Sequence, residues 1–237
     1  MTKKPNRAVR QAGVVTFLDV LGWKGVYDRK DNAVASLRLL VKGVTDRAEK
    51  MRGRINSEVI VRSISDTIAI FTFCEDDKVT KTIEIHGELC QWLIPESILS
   101  GLPMRGATSY GDFEISESIF VGRAVDEAAS WHEQGNWIGV NLSPSAEFVF
   151  SKTGTSAWVP YAAPLKVSMK WQPHCVNWIT NSLGIEEWEG KVRSKFLSMG
   201  PILPEIAPKF INTLEFMKEM TKKLTPPQPI PPSSNLS

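Results

Sequence analysis

The amino-acid sequence predicts an α+β fold, a mostly antiparallel sheet with helices packed on it, and three observations carry that prediction. Short apolar runs rich in β-formers recur along the first part of the chain. Longer segments with apolar residues spaced three and four apart separate them, which is the period of an amphipathic helix. Two of the β-rich runs are parted by only two polar residues, the spacing of a hairpin. The resulting order is strand, helix, hairpin, helix, strand, helix, strand, and its opening elements suit a ferredoxin-like βαββαβ plan.

Each element follows from local chemistry. Val14 to Val20 is an apolar run that stops at the Gly22 turn, as a buried central strand would. From about Asp31, the residues Val34, Leu37, Val41, Val44, Ala48 and Met51 form one apolar stripe, so a helix is expected there. Ser57 to Ile64 and Thr67 to Phe73 are the hairpin strands, and Ser65-Asp66 forms their exposed tip. A second helix is expected from about Asp77 to Leu93, with Pro95 ending it by removing a backbone donor. Leu102 to Phe113 reads as a strand carrying Arg105, Gly122 to His132 as a helix, and Trp137 to Leu142 as the last core strand. Thr153 to Ser198 holds four of the eight tryptophans and covers part of the core, and Ile206, Phe210, Leu214, Met217 and Leu224 predict a final amphipathic helix.

The 237 residues therefore divide into a basic N-terminal arm (1–12), a core domain (13–150), an accessory region (151–225) and a Pro/Ser-rich tail (226–237) whose composition predicts disorder. A net charge of +2 gives no long-range field for a polynucleotide, although a triphosphate needs only local positive charge. Cys74, Cys90 and Cys175 are odd in number and lack CxxC spacing, which predicts reduced thiols and a cytoplasmic location rather than a disulfide framework or zinc site. No apolar run reaches the roughly 18 residues of a membrane span, and the polar start lacks a signal-peptide core.

Two carboxylates stand out. Asp19 ends the first strand just before a glycine turn whose amides can approach phosphate oxygens, and Asp66 sits at the hairpin tip. Alone, Asp19 is as consistent with a turn former. In the βαββαβ plan the first strand lies beside the hairpin, which brings the two together, and paired carboxylates suit Mg²⁺ or Mn²⁺ bridging a nucleotide's phosphates. His86 falls on an apolar helix face and reads as a core residue, and His132 and His174 have no ligand-like neighbours in sequence.

Between Val14 and Leu142 the chain resembles the class III nucleotidyl cyclases, specifically the pyrimidine cyclases of the bacterial Pycsar antiphage systems. The resemblance rests on FLDVLGW, ISDTIAIF, RGATSYGDF and FVGRAVDEAA. It implies a cyclase catalytic core at 13–150 and a homodimer with sites at the subunit interface. It also implies two Mn²⁺ or Mg²⁺ ions per site on Asp19, Val20 and Asp66, a triphosphate cradled by the amides of Leu21 and Gly22, and a product that acts on a separate effector.

Departures from the purine-specific pattern bear on the substrate. Arg62 stands where adenylyl cyclases carry the base-reading lysine, and Ile119 stands where their adenine-amine acceptor falls. A guanidinium only donates hydrogen bonds, so at the pyrimidine 4-position it favours the uracil carbonyl and hence UTP; if it reads the shared 2-carbonyl, CTP is equally served. The family's transition-state asparagine and arginine match Asp126 and Ser130, and Arg123, on the same helix face, is the candidate to supply the missing positive charge, with a surface arginine as the plainer alternative. Arg105 either reaches phosphate or pairs structurally, with Asp112 or Asp126 as partner. The expected activity is thus a uridylate cyclase, with a cytidylate cyclase, a degenerate nucleotide-binding domain, or a polymerase-like palm enzyme without a basic channel as alternatives.

Overall fold

The computed structural model describes residues 11–23, 26, 30–117, 119–152, 154, 156–179 and 185–224. The arm at 1–10 and the tail at 226–237 lie outside the described residues. Strand β1 (Gln11–Val20) leads to helix α1 (Ala33–Ile55), the hairpin β2 (Ile60–Ile64) and β3 (Thr67–Phe73), helix α2 (Val79–Leu99) and strand β4 (Met104–Ser116). These strands lie in the order β2-β3-β1-β4, all antiparallel, which is the ferredoxin-like arrangement expected. Then come β5 (Ile119–Gly122), α3 (Arg123–Trp131), β6 (Val140–Leu142), the short α4 (Pro144–Val149), β7 (Trp158–Pro160), β8 (His174–Val176), α5 (Ile185–Ser198) and α6 (Ala207–Leu224).

The eight-stranded sheet continues past β4 through β6, β8 and β7, with β5 hairpinned onto β4; among the described residues only the β4–β6 pairing is parallel. The residues after position 150 thus add two strands as well as helices. Trp137, Trp158, Trp178 and Phe216 are fully buried with Val14 and Leu18 in one core, so tryptophans fill the space between the sheet and the C-terminal helices.

Two expectations about helices change. Pro95 lies inside α2, because Leu93, Ile94 and Ile98 are all fully buried and their packing outweighs the one backbone bond that proline forfeits. In α1 the expected Leu37, Val44 and Ala48 are buried and Val41 and Met51 pack partly buried against the same core, but Val34 is exposed and Ala33, Leu40 and Ile55 are buried as well. His86 is fully buried: Nδ1 lies 2.8 Å from Thr16 Oγ1 and Nε2 3.0 Å from Thr72 Oγ1. Burial lowers its pKa to about 3, so it is a neutral core histidine. All three cysteines are unbridged, and no described helix is long and apolar enough to cross a membrane.

Candidate active site

Alternation along β1 sorts its side chains between two layers. Val14, Leu18 and Val20 pack with α1 and α2, whereas Val15 and Phe17 pack with Phe71, Phe113 and the α3 residues Ala124, Val125 and Ala128. Asp19 follows Phe17 on the α3 face, at the strand end, opposite Thr67 of β3 and Arg105 of β4. Ser65 takes a left-handed conformation (φ 55°) that closes the β2–β3 hairpin, and Asp66 follows it, one residue before the partner of Asp19.

The structure therefore brings Asp19 and Asp66 into electrostatic reach of one another at the end of the sheet. Burial first, and then the negative charge of Asp66, pushes the Asp19 pKa up to about 6, against the opposing pull of Arg105. A half-buried carboxyl group with a second carboxylate beside it is suited to a cation.

Arg105 is 7 % exposed, with Nη2 3.7 Å from Asp19 Oδ2 and Nη1 donating to the Gly135 carbonyl at 3.0 Å. The partners expected for it, Asp112 and Asp126, are not the ones it has. Asp112 lies seven positions further along the same strand, on the opposite face, and Asp126 is exposed on α3. Arg105 instead holds Asp19 from beneath.

Two further groups reach Asp19. α3 starts at the far end of β1 and runs back along it, so His132 and Glu133, just past its end, return to the strand's C-terminal end. Ligand atoms of Asp19, His132 and Glu133 all lie within 4.8 Å of one another. His132 thus has ligand-like neighbours after all; they are distant in sequence, and the one local signal was the acidic residue beside it.

The phosphate cradle was expected at Leu21 and Gly22. The Leu21 amide donates to the Pro103 carbonyl at 2.8 Å, extending the β1–β4 ladder, so it is engaged by the fold. Gly22 has φ 73°, a left-handed turn that glycine adopts without strain. Val20 has a buried side chain and can offer the site only its backbone.

Arg62 lies on the edge strand β2, opposite Ala69, which itself faces Phe17, so it shares the sheet face of Asp19. It is exposed, and Nη1 donates to the Val61 carbonyl at 3.0 Å. Ile119 is exposed on β5. Arg123, at the start of α3, is 83 % exposed and pairs with Asp112. Ser130 donates back to the Asp126 carbonyl at 2.8 Å. Arg123 and Asp112 stand at the opposite end of the β1–β4 ladder from Asp19 and Arg105, roughly 23 Å away at about 3.3 Å per strand residue. One chain does not unite Arg123 with the aspartates.

No protein-family model matches the sequence, and no curated protein does. Solved structures do. The chain is similar to the non-canonical dimeric guanylyl cyclase domain of the RhoGC fusion protein from the aquatic fungus Blastocladiella emersonii, with 16% identity and a TM-score of 0.50 over 71% of this chain and 94% of that one. It is also similar to the adenylyl cyclase CyaB from P. aeruginosa (13% identity, TM-score 0.47, 74% of this chain and 98% of that one). A bacterial light-regulated adenylyl cyclase shares 12% identity and a TM-score of 0.46 over 81% of this chain, which spans 57% of that protein. At such identities the likeness is one of fold, and the first of these carries it: this chain has the class III nucleotidyl cyclase fold.

Proposed function

We propose that this chain is a nucleotidyl cyclase that converts a pyrimidine ribonucleoside triphosphate, UTP in preference to CTP, into its 3',5'-cyclic monophosphate and pyrophosphate. The observation that carries the reading is the Asp19–Asp66 pair at the C-terminal end of β1, on a fold shared with cyclase domains. Ligand atoms of His132 and Glu133 also gather at Asp19, and the carboxylates at this strand end suit Mg²⁺ or Mn²⁺. Two such ions, when bound, would acidify the ribose 3'-hydroxyl and neutralise charge on the phosphates.

The protein's own residues position and exclude. Arg105, fixed on Gly135, keeps Asp19 aimed at the site. Asp66 is held by the tight hairpin. The 3'-oxygen then displaces pyrophosphate from the α-phosphorus, and its proton leaves to solvent. Arg62 reads the pyrimidine 4-carbonyl, which only a donor can satisfy, and the apolar Ile119 offers an adenine amine nothing.

The separation of Arg123 from Asp19 supports a head-to-tail homodimer, in which one subunit lends its α3 arginine and Arg62 to the aspartates of the other. The RhoGC domain is itself described as dimeric. By the sequence resemblance, the cyclic product serves antiphage defence through a separate effector.

A second reading, a nucleotide-binding domain without turnover, draws on Asp126 and Ser130 in place of the expected asparagine and arginine and on the engagement of Arg123 by Asp112. Incubating the purified protein with an equimolar mixture of the four ribonucleoside triphosphates and Mn²⁺, followed by mass spectrometry, separates the readings. Cyclic UMP should dominate. A purine cyclic product would refute the base assignment, and no cyclic product at all would favour the second reading.

A further inference from the structure

A cavity of about 310 Å³ opens at the same sheet end as Asp19, within the roughly 300–1,000 Å³ range of small-ligand sites. One wall is core: the Gly22 turn, Lys30 ahead of α1, and Gly101 to Pro103 leading into β4. The other wall is the C-terminal region, which contributes Lys195 of α5 and Lys209 of α6. All three lysines are half-buried, and among the described residues no carboxylate lines the cavity.

Partly desolvated ammonium groups facing a shared space without a counter-charge disfavour one another and favour an anion. Burial, then the nearby Arg105 and Lys166, lower the Lys209 pKa against the opposing charge of Glu205, and its Nζ donates to the Glu205 carbonyl at 2.6 Å. The chain's net charge is only +2, so this concentration of positive charge is local rather than general.

Lys209 lies within electrostatic reach of Arg105, which pairs with Asp19, and the Gly22 turn at the cavity comes three positions after Asp19, about 10 Å when extended. A triphosphate anchored at the aspartates would reach toward this opening with its terminal phosphates.

We propose that the cavity receives the β- and γ-phosphates of the nucleoside triphosphate, and afterwards the pyrophosphate product, with Lys195 and Lys209 as phosphate-binding residues supplied by the C-terminal helices. The accessory region thereby completes the substrate site. This assignment rests on the cyclase reading, and Lys30 joins the two lysines from the core side.

The test uses the full chain. Pyrophosphate, without divalent metal, is titrated into wild type, Lys195→Ala/Lys209→Ala and Lys195→Arg/Lys209→Arg by calorimetry, with circular dichroism to confirm that each variant is folded. The alanine pair should bind at least about tenfold more weakly, and the arginine pair should stay within a few-fold of wild type, since it keeps the charge. In turnover assays the alanine pair should raise KM for the triphosphate and the inhibition constant of pyrophosphate by a similar factor. Equal pyrophosphate affinity in wild type and the alanine pair, or no binding by wild type, overturns the proposal. A cyclase whose KM and pyrophosphate affinity ignore both lysines would refute the pocket and leave the cyclase reading intact. Lysine-dependent pyrophosphate binding by a protein that cyclises no nucleotide would refute the cyclase reading while upholding the anion pocket.

Discussion

The conflict between Asp19 and Asp66 is the most consequential feature at the scale of single residues. Burial, and then the charge of Asp66 beside it, raises the Asp19 pKa to about 6, above its ordinary value of 3.8, so the folded protein binds a proton there that the unfolded chain releases. Without metal, stability contributed by that protonation is full below about pH 4 and is lost as pH rises through 6. A divalent ion competes for the same carboxylate, so the thermal shift produced by Mn²⁺ should be large at pH 7.5 and shrink as pH falls below 6, by scanning calorimetry. Asp66→Asn should abolish that shift while leaving the metal-free protein as stable as wild type or more so, because the repulsion goes and the Arg105–Asp19 pair stays. His86 behaves oppositely. Its folded pKa of about 3 lies below the ordinary 6.5, so stability is present above pH 6.5 and lost as pH falls toward 3. His86→Leu should flatten that acid slope in urea titrations, at the cost of unpaired Thr16 and Thr72 hydroxyls, about 1–3 kcal/mol. Asp19 and Asp66 were legible in the sequence because each ends a short β-run at a turn. The roles of Leu21 and His132 were not, because Pro103 and the return of α3 lie far off in sequence.

Elements, rather than single side chains, hold the site in register. β1 and β4 lie so close at Gly106 that a Cβ there would strike the Phe17 carbonyl. Gly106→Ala should therefore cost about 1–3 kcal/mol and shift Arg105 relative to Asp19, read as a lower Tm together with lost Mn²⁺ binding. α6 steadies the loop behind Arg105: Asn212 donates to the Asn136 carbonyl and Thr213 accepts from the Ile138 amide, each at 2.8 Å. Thr213→Val keeps the shape but strands that amide, so about 1–3 kcal/mol of stability should be lost in denaturant unfolding. Strong periodicity made β1, the hairpin, α1 and α3 readable. β5, β7 and β8 have four, three and three residues, too few for alternation to register, and Pro95 misled because its neighbours' burial outweighs one missing hydrogen bond.

At the scale of the whole molecule, the ferredoxin-like half was visible in the order of its elements and the cover over its core in the later tryptophans, but the two strands that the C-terminal region adds to the sheet were not. Trp137, Trp158 and Trp178 join the two regions through one core. A chain cut after residue 150 should expose that surface and aggregate, as light scattering would report. The proposed reaction needs two chains as well, since Arg123 sits far from the aspartates of its own subunit. The most direct check on the central claim is the rate of cyclic UMP release from UTP and Mn²⁺, measured side by side for wild type and Asp66→Asn. Wild type should give steady product, and the folded variant should lose about 100-fold or more. Equal rates, or no cyclic UMP from wild type, would contradict that claim.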